Sequence, residues 1–229
     1  MTSLQKWRKS VRTTIPVMAG YLVLGAGFGI LLRTRGYGLG WALAMSAFIY
    51  AGSMQYVAID LLTGGASLLT TAVTTLLVNA RHLFYGISML ERYRAAGKYA
   101  PYLIFSLTDE TYSLVAARED LTGAECFRIS LLDQLYWVLG TALGSLAGAY
   151  LDFNTTGIDF SLTALFLTVF TEQWLETKDH APALIGLGVS IVCRLLFGAD
   201  SFLLPTMGGM LCCLLVLDAR RTKKGGESV

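Results

Sequence analysis

Charge is what this chain has least of. Among 229 residues only 15% are Asp, Glu, Lys or Arg, where an ordinary soluble domain has about a quarter. The remainder is strongly apolar, at 54% hydrophobic residues and a mean hydropathy of +0.56. That shortage excludes a conventional water-facing surface. No basic patch is interleaved with a soluble fold, so nucleic acid is not an expected partner. The four cysteines, Cys126, Cys193, Cys212 and Cys213, lack metal-ligand or disulfide spacing and read as small apolar residues. There is no His-Glu-x-x-His zinc motif, no Gly-x-Ser-x-Gly elbow and no Gly-x-x-x-x-Gly-Lys phosphate loop. Neither a metal site nor a cofactor is expected, and there is no linker or low-complexity stretch.

The little charge present is segregated. Lys6, Arg8, Lys9 and Arg12 crowd the N-terminus, and Arg220, Arg221, Lys223 and Lys224 the C-terminus. Flanking basic clusters on an apolar chain mark cytoplasmic ends. The apolar run that follows the first cluster has no clear Ala-x-Ala site, so it reads as an uncleaved span, not a signal peptide.

A spanning helix needs about 20 apolar residues. Candidate segments are 15–32, 39–62, 66–90, 100–117, 129–151, 160–175, 181–197 and 202–217. The expected fold is therefore all-α, a polytopic transmembrane bundle of 7–8 segments. Residues 1–218 form a single membrane domain, and 219–229 a flexible cytoplasmic tail. Segments 100–117 and 160–175 are the weakest, one for Asp109 and Glu110, the other for its shortness. With both termini inside, Arg118, Arg128 and Lys178 also lie inside. Arg33, Arg35, Arg92, Arg94 and Lys98 then fall outside, an imperfect fit to the positive-inside rule.

The text repeats itself. Tyr21-Leu-Val-Leu-Gly25-Ala-Gly-Phe-Gly29 matches Tyr136-Trp-Val-Leu-Gly140-Thr-Ala-Leu-Gly144. Phe48 to Tyr56 aligns less closely with Phe166 to Trp174. The two halves are approximately 15–90 and 129–197. Eight full spans make them parallel; one re-entrant segment between them makes them inverted. Glycines at four-residue steps, such as Gly25/Gly29 and Gly140/Gly144/Gly148, let helices approach closely in lipid. Gly52 and Gly64-Gly65 flank polar residues and are candidate helix breaks.

Two polar clusters interrupt the apolar text: Asn79-Ala80-Arg81-His82 and Thr108-Asp109-Glu110. Ionisable groups in a bilayer are costly and mark pathways, pairs or proton relays. At about 100° per residue, Ser67, Thr70, Thr71, Thr74, Thr75, Asn79, Arg81, His82, Tyr85 and Ser88 share one face of 66–90. Ser106, Asp109, Glu110 and Ser113 share another, and Ser46, Tyr50, Ser53, Tyr56 and Asp60 a third. Three polar stripes in a small bundle can enclose one pathway. Arg81 is the natural counter-ion for Asp109 or Glu110. It suits a substrate carboxylate, with Asn79 beside it, while an acidic residue takes an ammonium; Ser53 and Gln55 line the site. His82, Asp109, Glu110 and Glu172 are the candidates for proton coupling. A non-transporting scaffold or channel subunit and an intramembrane hydrolase using Asp109 and Glu110 are the rival classes.

The order of these features resembles the AzlC family of branched-chain amino-acid exporters. The matching residues are Phe28-Gly29, Ala51-Gly-Ser-Met-Gln55-Tyr56, Asn79-Ala-Arg-His82-Leu-Phe-Tyr85, Ser106-Leu-Thr-Asp109-Glu110-Thr and Thr171-Glu172-Gln173. The resemblance covers nearly the whole chain. It implies a multi-pass protein of the bacterial inner membrane and export of valine, leucine or isoleucine, and the missing catalytic motifs make an enzyme the unexpected class. It also implies a small AzlD-like membrane subunit as partner. The resemblance supplies no site residues, which rest on the polar faces alone.

Overall fold

The computed structural model describes residues 2–116, 118, 120–150, 160, 163, 164, 167, 170, 171, 174, 175 and 179–225. The described residues are helix and connecting turn, without strand. They fall into two compact units, Met1–Leu162 and Thr163–Val229.

The first unit is organised on two long helices, α1 (Ser3–Thr34) and α8 (Gly123–Tyr150). Each begins with a cap that the sequence supplies. Thr2 and Gln5 form a capping box ahead of α1. The Thr122 hydroxyl and Glu125 carboxylate do the same for α8, at 2.8–3.3 Å, which satisfies otherwise orphaned N–H groups. The two helices run parallel. Lys9 meets Glu125 at 3.2 Å, and Ser10 accepts from Arg128 at 3.4 Å. Further along, Thr14 meets Tyr136, Tyr21 packs edge-on against Trp137, and Ile30 approaches Gly148. The glycine stripes make this approach possible. A Cβ on Gly25 would lie 2.8 Å from the Trp137 carbonyl, and one on Gly140 2.7 Å from that of Leu22. The matched Tyr-x-x-x-Gly-x-x-x-Gly segments thus face each other across the contact.

The shorter helices differ from the expected continuous spans. Segment 39–62 is two helices, α2 (Leu39–Phe48) and α3 (Gly52–Thr63), and they fold back on each other. α2 starts beside Arg33 and descends until Gln134 donates to the Ala47 carbonyl at 3.1 Å. α3 then climbs again, with Gly52 beneath the Trp137 ring and the Tyr56 hydroxyl on the Leu24 carbonyl at 2.7 Å. At the tip Tyr50 has φ 44°, a left-handed conformation that costs a tyrosine on the order of 1 kcal/mol. Segment 66–90 is also interrupted. α4 (Leu68–Val78) stops at Asn79, and α5 (Arg81–Ala95) restarts two residues on. Segment 100–117 is a second hairpin. α6 (Ala100–Phe105) rises along α8, with the Tyr102 hydroxyl 2.6 Å from Gln134; α7 (Asp109–Ala116) returns towards the N-terminal end of α1, where Arg118 donates to Thr13 at 2.9 Å.

These folds have a simple physical cause. A half-helix of ten apolar residues cannot be told from half of a whole span by periodicity. Its direction is set by tertiary partners, here Thr141, Gln134 and Trp137 of α8. The two hairpins enter from opposite ends and their tips meet: the rings of Tyr50 and Phe105 are 6.4 Å apart. Arg92 of α5 donates to the carbonyls of Val115 and Arg118. It therefore sits at the same end as Lys9 and Arg128, not opposite them as the count of eight spans expects.

In the second unit, α9 (Ala181–Ser201) and α10 (Leu203–Gly225) pack together, with Gly209 of α10 against Val189 of α9. Gly198 breaks α9 with φ 75°, and the Arg194 guanidinium lies over the Phe202 ring. Helix α10 carries on through residues 219–225, expected as a flexible tail. Most of 160–175, with Glu172 and Gln173, lies outside the described residues.

Leucines line the outside of these helices. Leu135, Leu139 and Leu143 on α8, and Leu187, Ile191 and Leu195 on α9, are each more than half exposed. Stripes at four-residue spacing on an outer face are foreign to a water-soluble protein and ordinary against lipid. Among the described residues α1 and residues 181–198 are long and apolar enough to cross a bilayer.

Candidate substrate-binding site

The three helix breaks converge halfway along α1 and α8, and the predicted site residues lie on them. Arg81 is the first residue of α5, Ser53 the second of α3, and Asp109 and Glu110 open α7. Thr108 supports that start, because its hydroxyl accepts the Thr111 N–H at 3.3 Å. Acidic residues are favoured at a helix N-terminus, so Asp109 and Glu110 suit their place; Arg81 does not suit its own. The misplaced cation is compensated across the breaks. Arg81 Nη1 pairs with Asp109 Oδ2 at 2.9 Å, and Nη2 donates to Ser53 Oγ at 2.6 Å. Of the two counter-ions left open by the sequence, geometry selects Asp109. Both partners keep about 30% of their side-chain exposure, at 30% and 32%, so the pair can be reached.

The remaining predicted residues take different places. His82 Nδ1 is 3.1 Å from the Asn79 carbonyl, and its ring meets Tyr85 edge-on. Asn79 Oδ1 is buried without a hydrogen-bond partner. Tyr85 in turn stacks on Tyr112 at 4.5 Å. Gln55 is fully buried, and its hydrogen bonds go elsewhere. It accepts from Trp137 Nε1 at 2.9 Å and donates to Ser46 at 3.2 Å, and Ser46 donates to Thr141 at 3.0 Å. Gln55 therefore bolts the first hairpin to α8. Glu110 accepts a 2.7 Å hydrogen bond from Tyr21. Glu172 lies outside the described residues.

Three participants do not stand out in the sequence. Tyr21 and Thr111 are uncharged and sit in apolar or polar text without emphasis. Asp133 is fully buried on α8, and its carboxyl accepts from Thr111 at 3.1 Å. It stands alone in the apolar run 129–151, and a lone carboxyl in the middle of a span is itself the signal that could have found it.

Among the described residues, helices with lipid-type outer faces, interrupted and joined by an ion pair at their junction, are the architecture of a helical membrane protein. The chain belongs to the AzlC family: residues 16–151 match that family, described as AzlC protein. It is 45% identical over 216 residues to the branched-chain amino acid transport protein AzlC of Bacillus subtilis (strain 168), covering 92% of this chain and 85% of that protein. An uncharacterized membrane protein of Haemophilus influenzae is 42% identical, covering 92% and 87%. The inner membrane protein YgaZ of Escherichia coli (strain K12) is 26% identical over 222 residues, covering 90% and 87%. No solved structure matches the chain.

Proposed function

We propose that this protein is the large subunit of a proton-coupled exporter of branched-chain amino acids in the bacterial inner membrane. It works with a small AzlD-like membrane subunit. The observation that carries the reading is the Arg81–Asp109 pair held at the meeting of three interrupted helices. Discontinuous helices at mid-depth are the usual platform for a small charged substrate, because their open ends present N–H groups to anions and carbonyls to cations.

A zwitterionic amino acid matches this site by charge. Arg81 exchanges one arm of its ion pair for the substrate carboxylate, with the starts of α3 and α5 behind it. Asp109, released from Arg81, takes the ammonium. Asn79 Oδ1, buried without a partner, is a further acceptor for it. Opening the pair without a substrate separates two partly buried opposite charges, which opposes empty cycling. Glu110, adjacent in the chain and bonded to Tyr21, carries the proton.

The topology follows the contacts. Basic residues Lys9, Arg92, Arg118 and Arg128 gather at one end, which we take as cytoplasmic by the positive-inside rule. In the first unit α1 and α8 then cross outward, α4 and α5 together cross inward, and the two hairpins re-enter from opposite faces. The single crossing between α1 and α8 returns the chain to its starting side, so both helices open their repeat half in the same direction and the halves are parallel.

Efflux of radiolabelled leucine and valine from preloaded proteoliposomes tests the reading, with and without the small subunit and an imposed pH gradient. Efflux that needs both subunits and follows the gradient is expected. Normal efflux by correctly inserted Arg81→Ala and Glu110→Gln variants would remove the site assignment. Folded complex that moves no branched-chain amino acid would remove the function.

A further inference from the structure

Asp133 is fully buried, and the function proposed above gives it no role. Its Oδ2 contacts Thr111, and its Oδ1 has no hydrogen-bond partner. No cation pairs with it among the described residues, where Arg81 joins Asp109 and Lys9 joins Glu125. The groups that face it are Glu110 and Thr111 from α7, Tyr50 from the first hairpin tip and Tyr102 from α6. None of these is a base that would take its proton permanently.

A run of hydroxyls leads from Asp133 to Glu110. Thr111 Oγ1 is 3.1 Å from Asp133 Oδ2 and 3.1 Å from Thr108 Oγ1. Thr108 Oγ1 is 2.7 Å from the Tyr21 hydroxyl, which is 2.7 Å from Glu110 Oε2. All four links are of hydrogen-bond length, and each needs one hydrogen between its two oxygens. Thr111, Thr108 and Tyr21 supply one hydroxyl hydrogen apiece. The fourth must come from a carboxyl at one end of the run.

The run therefore has two complete arrangements. In the first, Asp133 is the acid and donates to Thr111, and each hydroxyl points on towards Glu110. In the second, Glu110 is the acid and donates to Tyr21, and each hydroxyl points back. Conversion breaks the Asp133 O–H bond and forms a new one on Thr111. Thr111 gives its hydrogen to Thr108, Thr108 to Tyr21, and Tyr21 to Glu110. One proton has then moved between the carboxyls, and every hydroxyl is again neutral.

We propose that Asp133 is the buried proton site of this transporter and exchanges its proton with Glu110 through the hydroxyls of Thr111, Thr108 and Tyr21. The proposal rests on the proton-coupled reading above and adds the residue and route that reading lacks. Glu110 follows Asp109 in the first turn of α7, so the relay ends beside the ion pair that the substrate opens. α7 is the element through which proton and substrate sense each other.

The test uses the full chain with its small partner in liposomes. Asp133→Asn and Thr111→Val are each expected to cut gradient-driven leucine efflux by about tenfold or more, the scale of losing a proton-transfer group. Thr111→Ser restores the hydroxyl and is expected to restore the rate. Wild-type liposomes without gradient-driven efflux would overturn the proposed function, and this coupling role with it. Wild-type coupling that persists unchanged in Asp133→Asn, or equal rates for Thr111→Val and Thr111→Ser, would overturn the relay alone. If Asp133→Asn does not fold, the Thr111 pair decides. Infrared spectra give a readout independent of transport. A protonated-carboxyl stretch at neutral pH, lost in the Glu110→Gln/Asp133→Asn double variant, is expected; spectra without that difference would overturn the proton count.

Discussion

Arg81 and Asp109 each open a different half-helix, and the 2.9 Å ion pair between them ties the interrupted span α4–α5 to the tip of the second hairpin. Ser53, on the other arm of Arg81 at 2.6 Å, brings in the first hairpin. One side chain thus joins three breaks that are distant in the chain.

Removing one member of this pair should cost more than removing both. Arg81→Met alone leaves the Asp109 carboxylate partly buried without its counter-ion, and Asp109→Leu alone takes one partner from the Arg81 guanidinium, with an expected loss of up to about 3 kcal/mol. The double variant Arg81→Met/Asp109→Leu should recover more than half of that stability and none of the transport. Thermal unfolding in detergent and leucine efflux, read on all three variants, check the two halves of the statement separately.

The contact between α1 and α8 should be intolerant of a single methyl group. A Cβ on Gly140 would lie 2.7 Å and 2.9 Å from the carbonyls of Leu22 and Tyr21, and neither can move without the helix. Gly140→Ala is expected to cost about 1–3 kcal/mol through overpacking. Gly20→Ala, on the same helix as those carbonyls but with nothing within 4 Å, should be neutral or slightly stabilising. The yield of monodisperse protein and its melting temperature distinguish the two.

Cysteine labelling reads the hairpins directly. In a background without the native cysteines, single cysteines at Gly36 and Gly65 should be labelled from one face of the membrane. Lys98 and Asp120 replaced by cysteine should be labelled from the other. If Gly36 and Gly65 fall on opposite faces, segment 39–62 crosses the membrane and the first hairpin does not exist.

A pH effect is expected at the basic end, outside the span. Hydrogen bonds from the Thr122 backbone and hydroxyl, helped by Lys9, pull the Glu125 carboxyl down from 4.5 to about 2. Because the folded value is the lower one, its stabilisation is present above pH 4.5 and fades as the pH falls towards 2. Thr122→Ala should lower stability by about 1 kcal/mol at neutral pH, as for loss of a helix cap. The gap between variant and wild type should close as melts are recorded at progressively lower pH.

The sequence exposes the chemistry of this protein better than its path. Arg81, Asp109 and Glu110 stand out because a charge in apolar text is costly in lipid and marks a pair, a pathway or a proton route, and the structure does bring Arg81 and Asp109 together. The glycine steps at Gly25/Gly29 and Gly140/Gly144 also read directly, since close approach is what small residues permit. The helix breaks are hidden for the opposite reason. Phe48 and Met54 are as apolar on either side of a hairpin tip as they are in a straight span, and only Gly52 marks the place. Arg92 shows the consequence: placed by counting spans it falls on the wrong end, and placed by its bonds to Val115 and Arg118 it does not. Asp133 escapes because its partners, Thr111 and through it Thr108 and Tyr21, come from other parts of the chain. A carboxyl is recognised as one end of a relay only when the fold supplies the other end.

The bolts of the first hairpin bear on the order in which this protein is made. Ser46 finds Thr141 only 95 residues later, and Gln55 finds Trp137 only 82 residues later. A ribosome releases α2 and α3 long before α8 exists. Until then their polar groups have no partner at that depth, where an unsatisfied group costs several kcal/mol. The hairpin must therefore wait at the surface or in the care of the insertion machinery, and it takes its seat only once α8 has entered. Chains truncated before α8 should leave that hairpin homeless, and should be cleared by the cell as unfinished protein.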